Sequence, residues 1–554
     1  MCRRRPFEAS SFARVRHEAL RREPGNPKIP LASAEDVLLA KLEWYRRGGD
    51  TSERQWDDVK GLLRVEPGAR LIPQGANPLD NSAAAAIISP ESGLCPGAVP
   101  SRGAPTLPEK RSSVNQARRT GEAHPANPAD PPLRWAVRPL IATALLTGLI
   151  LRLAFGLGYW IDKPLTLDEQ EYLLLAQSLV EGRGLTYPSP SVKPGGARHF
   201  ERPPGYPVFL AGVMTLSGGF AGVRHDVGVP RPVKVLQSIV GVVAVLLIGL
   251  IARRAAGQRA GAIAVWIAAA YPPLVWSCAY VLAETLYTVL AFTVVRLLSD
   301  AFDQGRSNGW RVCAAGLVTG AALLTREAMV FFLVVSVLWL VAHRRWRLVA
   351  AFLAGALVIM LPWTMRNAVV HGGFVVGAPH GGVTFWTGNN ELAQGEGDMA
   401  ANPVLRRRSR EIEAQNPGLS ARELDALYYR TALAFITSRP FSWVWLEVRK
   451  VFYTIVPIGP SYRLHSPLYL GASVVSYLGV LPFAVAGFLR LVRHDRPPIA
   501  LLLMALSAVL LSLVFFPQER FRIPVIDPAL IVCAACWWGL RTAPAAVPGA
   551  SPRA

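Results

Sequence analysis

Cysteine is scarce, with six residues scattered through 554, so no disulfide framework organises this chain. Cys533 and Cys536 form a CxxC, but they lie inside an apolar run and read as small helix-packing residues rather than a metal or redox pair. The nine histidines are dispersed, with no HExxH and no paired spacing, so the chain lacks a metal signature. No cofactor is expected; a divalent cation is the one such partner left open. No apolar h-region opens the sequence, so no signal peptide is expected there. Internal symmetry is missing as well, whereas inverted repeats with broken helices at the membrane midplane would mark a transporter.

What is abundant is apolar sequence. Hydrophobic residues make up 51% of the chain and the mean hydropathy is +0.28, too apolar for an ordinary soluble enzyme. Runs of about 20 apolar residues recur, which is the length that crosses a bilayer. Candidate spans are 140–160, 233–252, 258–275, 280–299, 310–325, 327–343, 347–365, 468–489, 497–516 and 522–540. Two further apolar pieces, 205–220 and 441–458, can be re-entrant, interfacial or additional spans. The net charge of +21 could suggest nucleic acid. In a membrane protein it is more simply Lys and Arg held in cytoplasmic loops, and no nucleic-acid partner is expected. The expected fold class is therefore all-α, a polytopic membrane protein with about 10–12 transmembrane helices.

Four short loops set the orientation. ARRAAGQR (252–259), DAFDQGRSNGWR (300–311), HRRWR (343–347) and RLVRHDR (490–496) are basic, and the positive-inside rule places all four in the cytoplasm. Segments 161–232 and 366–467 then face outward. Before the membrane part, residues 1–64 read as a small cytoplasmic helical segment, with Ser33 as a plausible N-cap and Gly48-Gly49 as a stop. Residues 65–133 are rich in Pro, Ala, Gly and Ser and read as a disordered linker. The transmembrane domain covers 134–541, and 542–554 form a cytoplasmic tail.

Charges at membrane depth are costly and usually functional. With this topology they gather at one face. Asp168, Glu169 and Arg202 lie in the first outer loop, and Glu284 sits just inside the outer end of a span. Arg326 occupies an outer turn, Arg366 and Asn367 end a span, and Arg520 and Arg522 flank the last outer turn. Thr166-Leu167-Asp168-Glu169 also fits a capping box with Thr166 as N-cap and Glu169 at N3, so both acids can simply cap a helix. Asp168 shares its helical face with Tyr172, four residues on, where a base could meet a substrate. Arg326 and Arg366 can equally be snorkelling anchors at the interface, and Glu284 a structural partner of one of the arginines.

Seven stretches carry a family resemblance. They are LDEQEYLLLAQSLVEGRG (167–184), ERPPGYPVFLAG (201–212), YPPLVWSCAYVLAETLYTVL (271–290), LLTREAMVFF (323–332), LPWTMRNAVVHGGF (361–374), TFWTGNN (384–390) and ERFRIPVIDPALIVCAA (519–535). In this order, over about residues 135–540, the chain resembles the GT-C membrane glycosyltransferases of the protein O-mannosyltransferase and aminoarabinose-transferase type, glycosyltransferase family 39. It departs from them in having ERPPGYP for a KPPL-type motif and in lacking a proline after the arginine of TREA. The resemblance implies an enzyme of a bacterial inner membrane. It implies transfer of a sugar from a polyprenyl-phosphate carrier to a glycan, lipid or protein acceptor of the cell envelope, with inversion, at the outward face. The family's essential acid of the first outer loop maps to Asp168, with Glu169 its neighbour. A carboxylate there takes the acceptor's proton, and arginines steady the charge of the leaving lipid phosphate. Tyr172, Arg202, Glu284, Arg326, Arg366, Asn367, Asn389, Asn390, Lys450, Arg520 and Arg522 are the candidates for binding donor and phosphate. The rival reading is a transporter or lipid-linked-sugar flippase without transferase chemistry.

The basic loops make a direct prediction. A reporter active only outside the cytoplasm should work when fused after His380 and fail when fused after Arg345. The reverse pattern would turn the whole charged face toward the wrong compartment.

Overall fold

The computed structural model describes residues 131–541 apart from 162, 187–201, 219–229, 304–307, 372–380, 398–401, 459–465 and 495–496. The segment 1–64, nearly all of the linker and the tail 542–554 lie outside the described residues.

The described residues are helical, with no extended strand among them. In chain order the helices are α1 (Pro131–Leu153), continued by a π-helical turn (Ala154–Tyr159), α2 (Leu167–Val180), α3 (Gly205–Leu216) and α4 (Arg231–Ala270). Next come α5 (Pro272–Trp276), α6 (Glu284–Asp303), α7 (Gly309–Thr325), α8 (Met329–Ala342) and α9 (Trp346–His371). The segment expected to face outward, 366–467, supplies α10 (Gly381–Gly388), α11 (Pro403–Gln415), α12 (Ala421–Ser438) and α13 (Pro440–Ile455). The chain ends with α14 (Pro467–Arg493), α15 (Ile499–Val514), α16 (Glu519–Arg522) and α17 (Ile526–Arg541).

Five helices are long and apolar enough to cross a membrane: Arg138–Tyr159, Arg231–Ala270, Glu284–Phe302, Trp346–Val369 and Pro467–Arg493. At 40 residues, α4 would extend about 60 Å if straight, twice the bilayer's hydrocarbon. It is instead a hairpin. Gly257 has φ +86°, a left-handed conformation open to glycine, and the chain reverses there. The two halves then pack antiparallel, with Gly249 against Val265 and Gly261 against Arg253. The expected spans 233–252 and 258–275 are these two halves. Each of the other expected spans also has its helix, the shorter ones being α7, α8, α15 and α17. The protein is a multi-pass α-helical membrane protein. Its apolar exterior agrees: Leu338, Leu357, Val358 and Leu361 are each more than half exposed, a surface suited to lipid rather than water.

Two starts differ from expectation. The span expected at 280–299 begins as a helix only at Glu284, because side chains hold the residues before it out of helical geometry. Gln237 Nε2 donates to the Cys278 carbonyl (2.9 Å) and the Tyr280 carbonyl (2.6 Å), and the Val281 N–H donates to Glu169. The span expected from 522 begins at Ile526, after the separate turn α16. The undecided piece 205–220 is α3, whose 12 residues reach only about 18 Å and cannot cross. Its first residue packs on the Leu324 carbonyl, at the turn between α7 and α8. The other undecided piece, 441–458, is α13, which packs beside α15.

The described residues of the four basic loops lie at one end of the bundle. Asp300 pairs with Arg254 (2.5 Å), Arg311 (2.7 Å) and Arg296 (3.8 Å), and Arg345 donates to the neighbouring Ala301 carbonyl. Arg490 donates to the Trp537 carbonyl, two residues from Gly539, which abuts Ala256. The candidate site residues sit at the opposite helix ends.

Where lipid surrounds helices, close packing of small residues replaces the hydrophobic drive. One such close contact joins α7 to α9. A Cβ on Gly316 would lie 2.1 Å from the Phe352 carbonyl oxygen, and one on Gly355 2.2 Å from that of Cys313. Gly355→Val should therefore lower the apparent melting temperature in detergent, by about 1–3 kcal/mol or more of stability. An unshifted melting curve would show that these helices are not as close as described.

Candidate active site

The site begins with the first turn of α2. Thr166 is its N-cap, and the capping box is complete: the Glu169 N–H donates to Thr166 Oγ1 (3.4 Å), and Glu169 Oε2 accepts from the Thr166 N–H (2.8 Å). Glu169 Oε1 accepts from the Val281 N–H at 2.9 Å. Glu169 is thus buried and tied to the stretch that precedes α6. Burial pushes its carboxyl above the usual range, against the opposing hydrogen bonds from Thr166 and Val281. Successive helical residues point about 100° apart. Asp168 therefore faces away from Glu169 and into a different environment.

There Asp168 lies between two guanidiniums. Oδ1 accepts from Arg202 Nη2 at 2.6 Å and Oδ2 from Arg520 Nη1 at 2.5 Å. Burial raises its carboxyl's affinity for a proton, but the charges of Arg520 and then Arg202 more than reverse this and hold it below the usual carboxylate range. Each arginine is shared with a second acid. Arg202 Nε reaches Glu171 at 2.5 Å, and Arg520 Nε reaches Glu284 at 2.8 Å. Glu284, the first residue of α6, also pairs with Arg326 Nη1 at 3.1 Å, and that same nitrogen donates to the Arg520 carbonyl at 3.2 Å. The result is a chain of alternating charge, Glu171–Arg202–Asp168–Arg520–Glu284–Arg326. Three acids and three arginines balance. The Arg202 guanidinium lies 5.0 Å over the Tyr172 ring, which packs edge-on against Tyr206 at 4.9 Å. Tyr287 and Phe521 flank Arg326.

Exposure is uneven along this chain. The Arg520 side chain is 39% exposed and Asp168 29%, whereas Glu284 is 7%. Glu284 Oε2 is buried without a hydrogen-bond partner. The accessible centre of the site is therefore the Asp168–Arg520 contact.

The structure brings together Asp168, Tyr172, Arg202, Glu284, Arg326 and Arg520, with Glu169 behind them. It adds Glu171, which the sequence reading passed over although its position three residues after Asp168 places it on the same helix face. Arg522 lies elsewhere: it pairs with Asp527 at 3.0 Å, approaches Glu519 at 3.8 Å and covers the Tyr477 ring. Arg366 donates to Asn367 and lies over Trp363, which packs with Leu175 of α2. Lys450 of α13 donates to Asn389 Oδ1 at 3.0 Å, and Asn390 holds the Trp386 carbonyl and the Leu392 N–H. Cys533 and Cys536 are buried free thiols in the helical core. Among the described residues no group of three His, Cys, Asp or Glu side chains is placed to hold a metal ion.

Residues 201–365 match the sequence model of the dolichyl-phosphate-mannose-protein mannosyltransferases, a stretch that includes Arg202, Glu284 and Arg326. The similarity to this GT-C family expected from the sequence is found there. No curated protein matches the chain. Among solved structures it is similar to the oligosaccharyltransferase AglB of Archaeoglobus fulgidus, in complex with an inhibitory peptide and a dolichol-phosphate. That match has 16% identity and TM-score 0.47 over 74% of this chain and 50% of the archaeal one. The chain thus spans about half the length of that protein. ArnT from Cupriavidus metallidurans, bound to undecaprenyl phosphate, matches at 14% identity and TM-score 0.34 over 74% of this chain and 78% of its own. The Pmt1-Pmt2 protein O-mannosyltransferase complex of S. cerevisiae, bound to the sugar donor, matches at 16% identity and TM-score 0.30 over 43% and 32%.

The two neighbouring acids should separate under substitution. Glu169→Gln replaces an acceptor oxygen by a donor beside buried N–H groups, so stability should fall by about 1–3 kcal/mol, while activity per folded molecule stays. Asp168→Asn should do the opposite, sparing the melting temperature more than turnover. Equal melting curves and equal turnover in the two variants would undo the division of labour.

Proposed function

We propose that the protein is a membrane glycosyltransferase that moves a sugar from a polyprenyl-phosphate carrier to a hydroxyl- or amine-bearing acceptor at the extracytoplasmic face. The observation that carries this reading is the partly exposed Asp168–Arg520 contact within a chain of balanced charge. The family match over residues 201–365 supports the same chemistry.

The balance suggests how the donor enters. A phosphodiester brings one negative charge to a site whose arginines are already paired. It can be held only by taking a guanidinium from a carboxylate. Arg520 is the accessible one, and its planar fork suits a phosphate. As Arg520 turns toward the phosphate, Asp168 loses one of the two charges that hold its carboxyl down, and its proton affinity rises. Asp168 then becomes a base only when donor is present. It accepts the acceptor's proton while the acceptor atom bonds to the anomeric carbon and the bond from that carbon to the phosphate oxygen breaks. The released lipid phosphate keeps the electron pair and stays beside Arg520 and Arg326. A single displacement of this kind inverts the anomeric centre. A narrow cleft lined by Tyr287, Ala508, Leu511, Phe521 and Val525 borders Arg326 at the end of the charged chain.

Purified protein in liposomes containing polyprenyl-phosphate sugars should release free polyprenyl phosphate and glycosylate an added envelope extract. Arg520→Lys, which keeps the charge but loses the fork, should lower turnover about tenfold or more, and Asp168→Asn about 100-fold or more. Donor that changes leaflet without its sugar bond being cut would identify a flippase instead.

A further inference from the structure

Lys450 and Asn389 are buried, and neither lies in the charged chain. Their bonds lead to the C-terminal end of α15, whose last carbonyls have no partner within the helix. Lys450 Nζ donates to the Leu513 carbonyl at 2.8 Å, to Asn389 Oδ1 at 3.0 Å and to Glu447 at 2.7 Å, using all three of its donors. Asn389 Nδ2 donates to the Val514 carbonyl at 2.9 Å and to the Phe385 carbonyl at 2.9 Å, while Oδ1 also accepts from Trp443 Nε1 at 3.2 Å. A cation at a helix C-terminus is favourable in its own right.

The grip continues along the chain toward the site. Gly388 sits so close to the Phe515 carbonyl that a Cβ would lie 1.6 Å from its oxygen. A Cβ on Gly397 would lie 1.9 Å from the Phe516 ring. The Gly397 N–H donates to the Pro517 carbonyl at 3.4 Å, and Gln518 Nε2 donates to the Gly397 carbonyl at 2.9 Å. Every residue from Leu513 to Gln518 is therefore held by the outer segment, and Arg520 follows two residues later. On the far side Ser473 donates to Glu519 at 2.8 Å.

We infer that Lys450 and Asn389 are positioning residues for Arg520: they cap α15 and so fix the strand of backbone that carries this guanidinium to Asp168 and Glu284. The inference rests on the reading that Arg520 serves donor binding. It also gives the outer segment a role that needs no contact with substrate. A shift of about 1 Å at a binding group can cost about 100-fold in rate, so loss of the cap should act at that scale.

The test compares wild type, Lys450→Met, Arg520→Ala and the double variant in liposomes with a polyprenyl-phosphate sugar, following released polyprenyl phosphate. Lys450→Met should lose about 100-fold in kcat, and the double variant should be no slower than Arg520→Ala alone, since residues acting through one group do not add. Asn389→Asp keeps the Lys450 contact but loses the bond to Val514, and should show the same dependence on Arg520. It decides the matter if Lys450→Met does not reach the membrane. Wild-type turnover in both cap variants, with Arg520→Ala inactive, overturns the inference and leaves the proposed function standing. Independent, multiplying losses would also overturn it. Wild-type turnover in Arg520→Ala would overturn the reading of the site, and the inference with it.

Discussion

Asp168 is shared by two arginines, and each of those arginines is shared by another acid. This is the contact on which the site depends, because no member of the set can leave without stranding a charge in a poorly solvated place. The members come from α2, the approach to α3, the start of α6, the turn between α7 and α8, and the turn before α17. Those five places are far apart in sequence. Their helix ends must all finish at one level for the chain of charge to close, so the bundle's packing and the site's electrostatics are one constraint seen at two scales.

Buried cations outside the site have a different use. Arg152 donates to the carbonyls of Gly148, Ala268 and Ala269, closing the end of the second half of α4. Lys234 donates to the carbonyls of Gly156 and Trp160, closing the π-helical turn after α1. Lys450 does the same for α15. Helix ends near a bilayer leave carbonyls that lipid cannot satisfy. A long cationic side chain folded back on them solves that problem. What separates these residues from Arg202 and Arg520 is their partner. Arg152, Lys234 and Lys450 (the last with Glu447 as well) each hold backbone carbonyls at a helix end, whereas Arg202 and Arg520 each bridge two carboxylates, the set that the proposed donor phosphate would rearrange.

The adjacent acids at the start of α2 show how one turn of helix divides two tasks. Glu169 closes the capping box and holds Val281, which together with Gln237 keeps 278–281 out of the α6 helix. That delay puts Glu284 at the first position of α6, level with Asp168. The residue that looks redundant beside the candidate base thus helps to set where the second acid stands.

Apolar length and basic turns were enough to place the apolar helices and to read the gathering of charge at one end, because both depend on local composition against a bilayer. The capping box was legible for the same reason, since its bonds run between residues three apart. The break inside α4 was expected from the basic loop ARRAAGQR, whereas the conformation of Gly257 that makes the reversal came from the structure. Tertiary structure alone decided which arginines share acids. Arg520 and Arg522 are two residues apart, yet one meets Asp168 and Glu284 and the other Asp527. Lys450 looked like a phosphate ligand and is instead bonded to a helix end. Glu171 was passed over, though its helical spacing offered a signal. Charge type and approximate depth are properties of a segment; the partner of a charged side chain depends on how helices from distant parts of the chain are rotated against each other, and no local pattern carries that rotation.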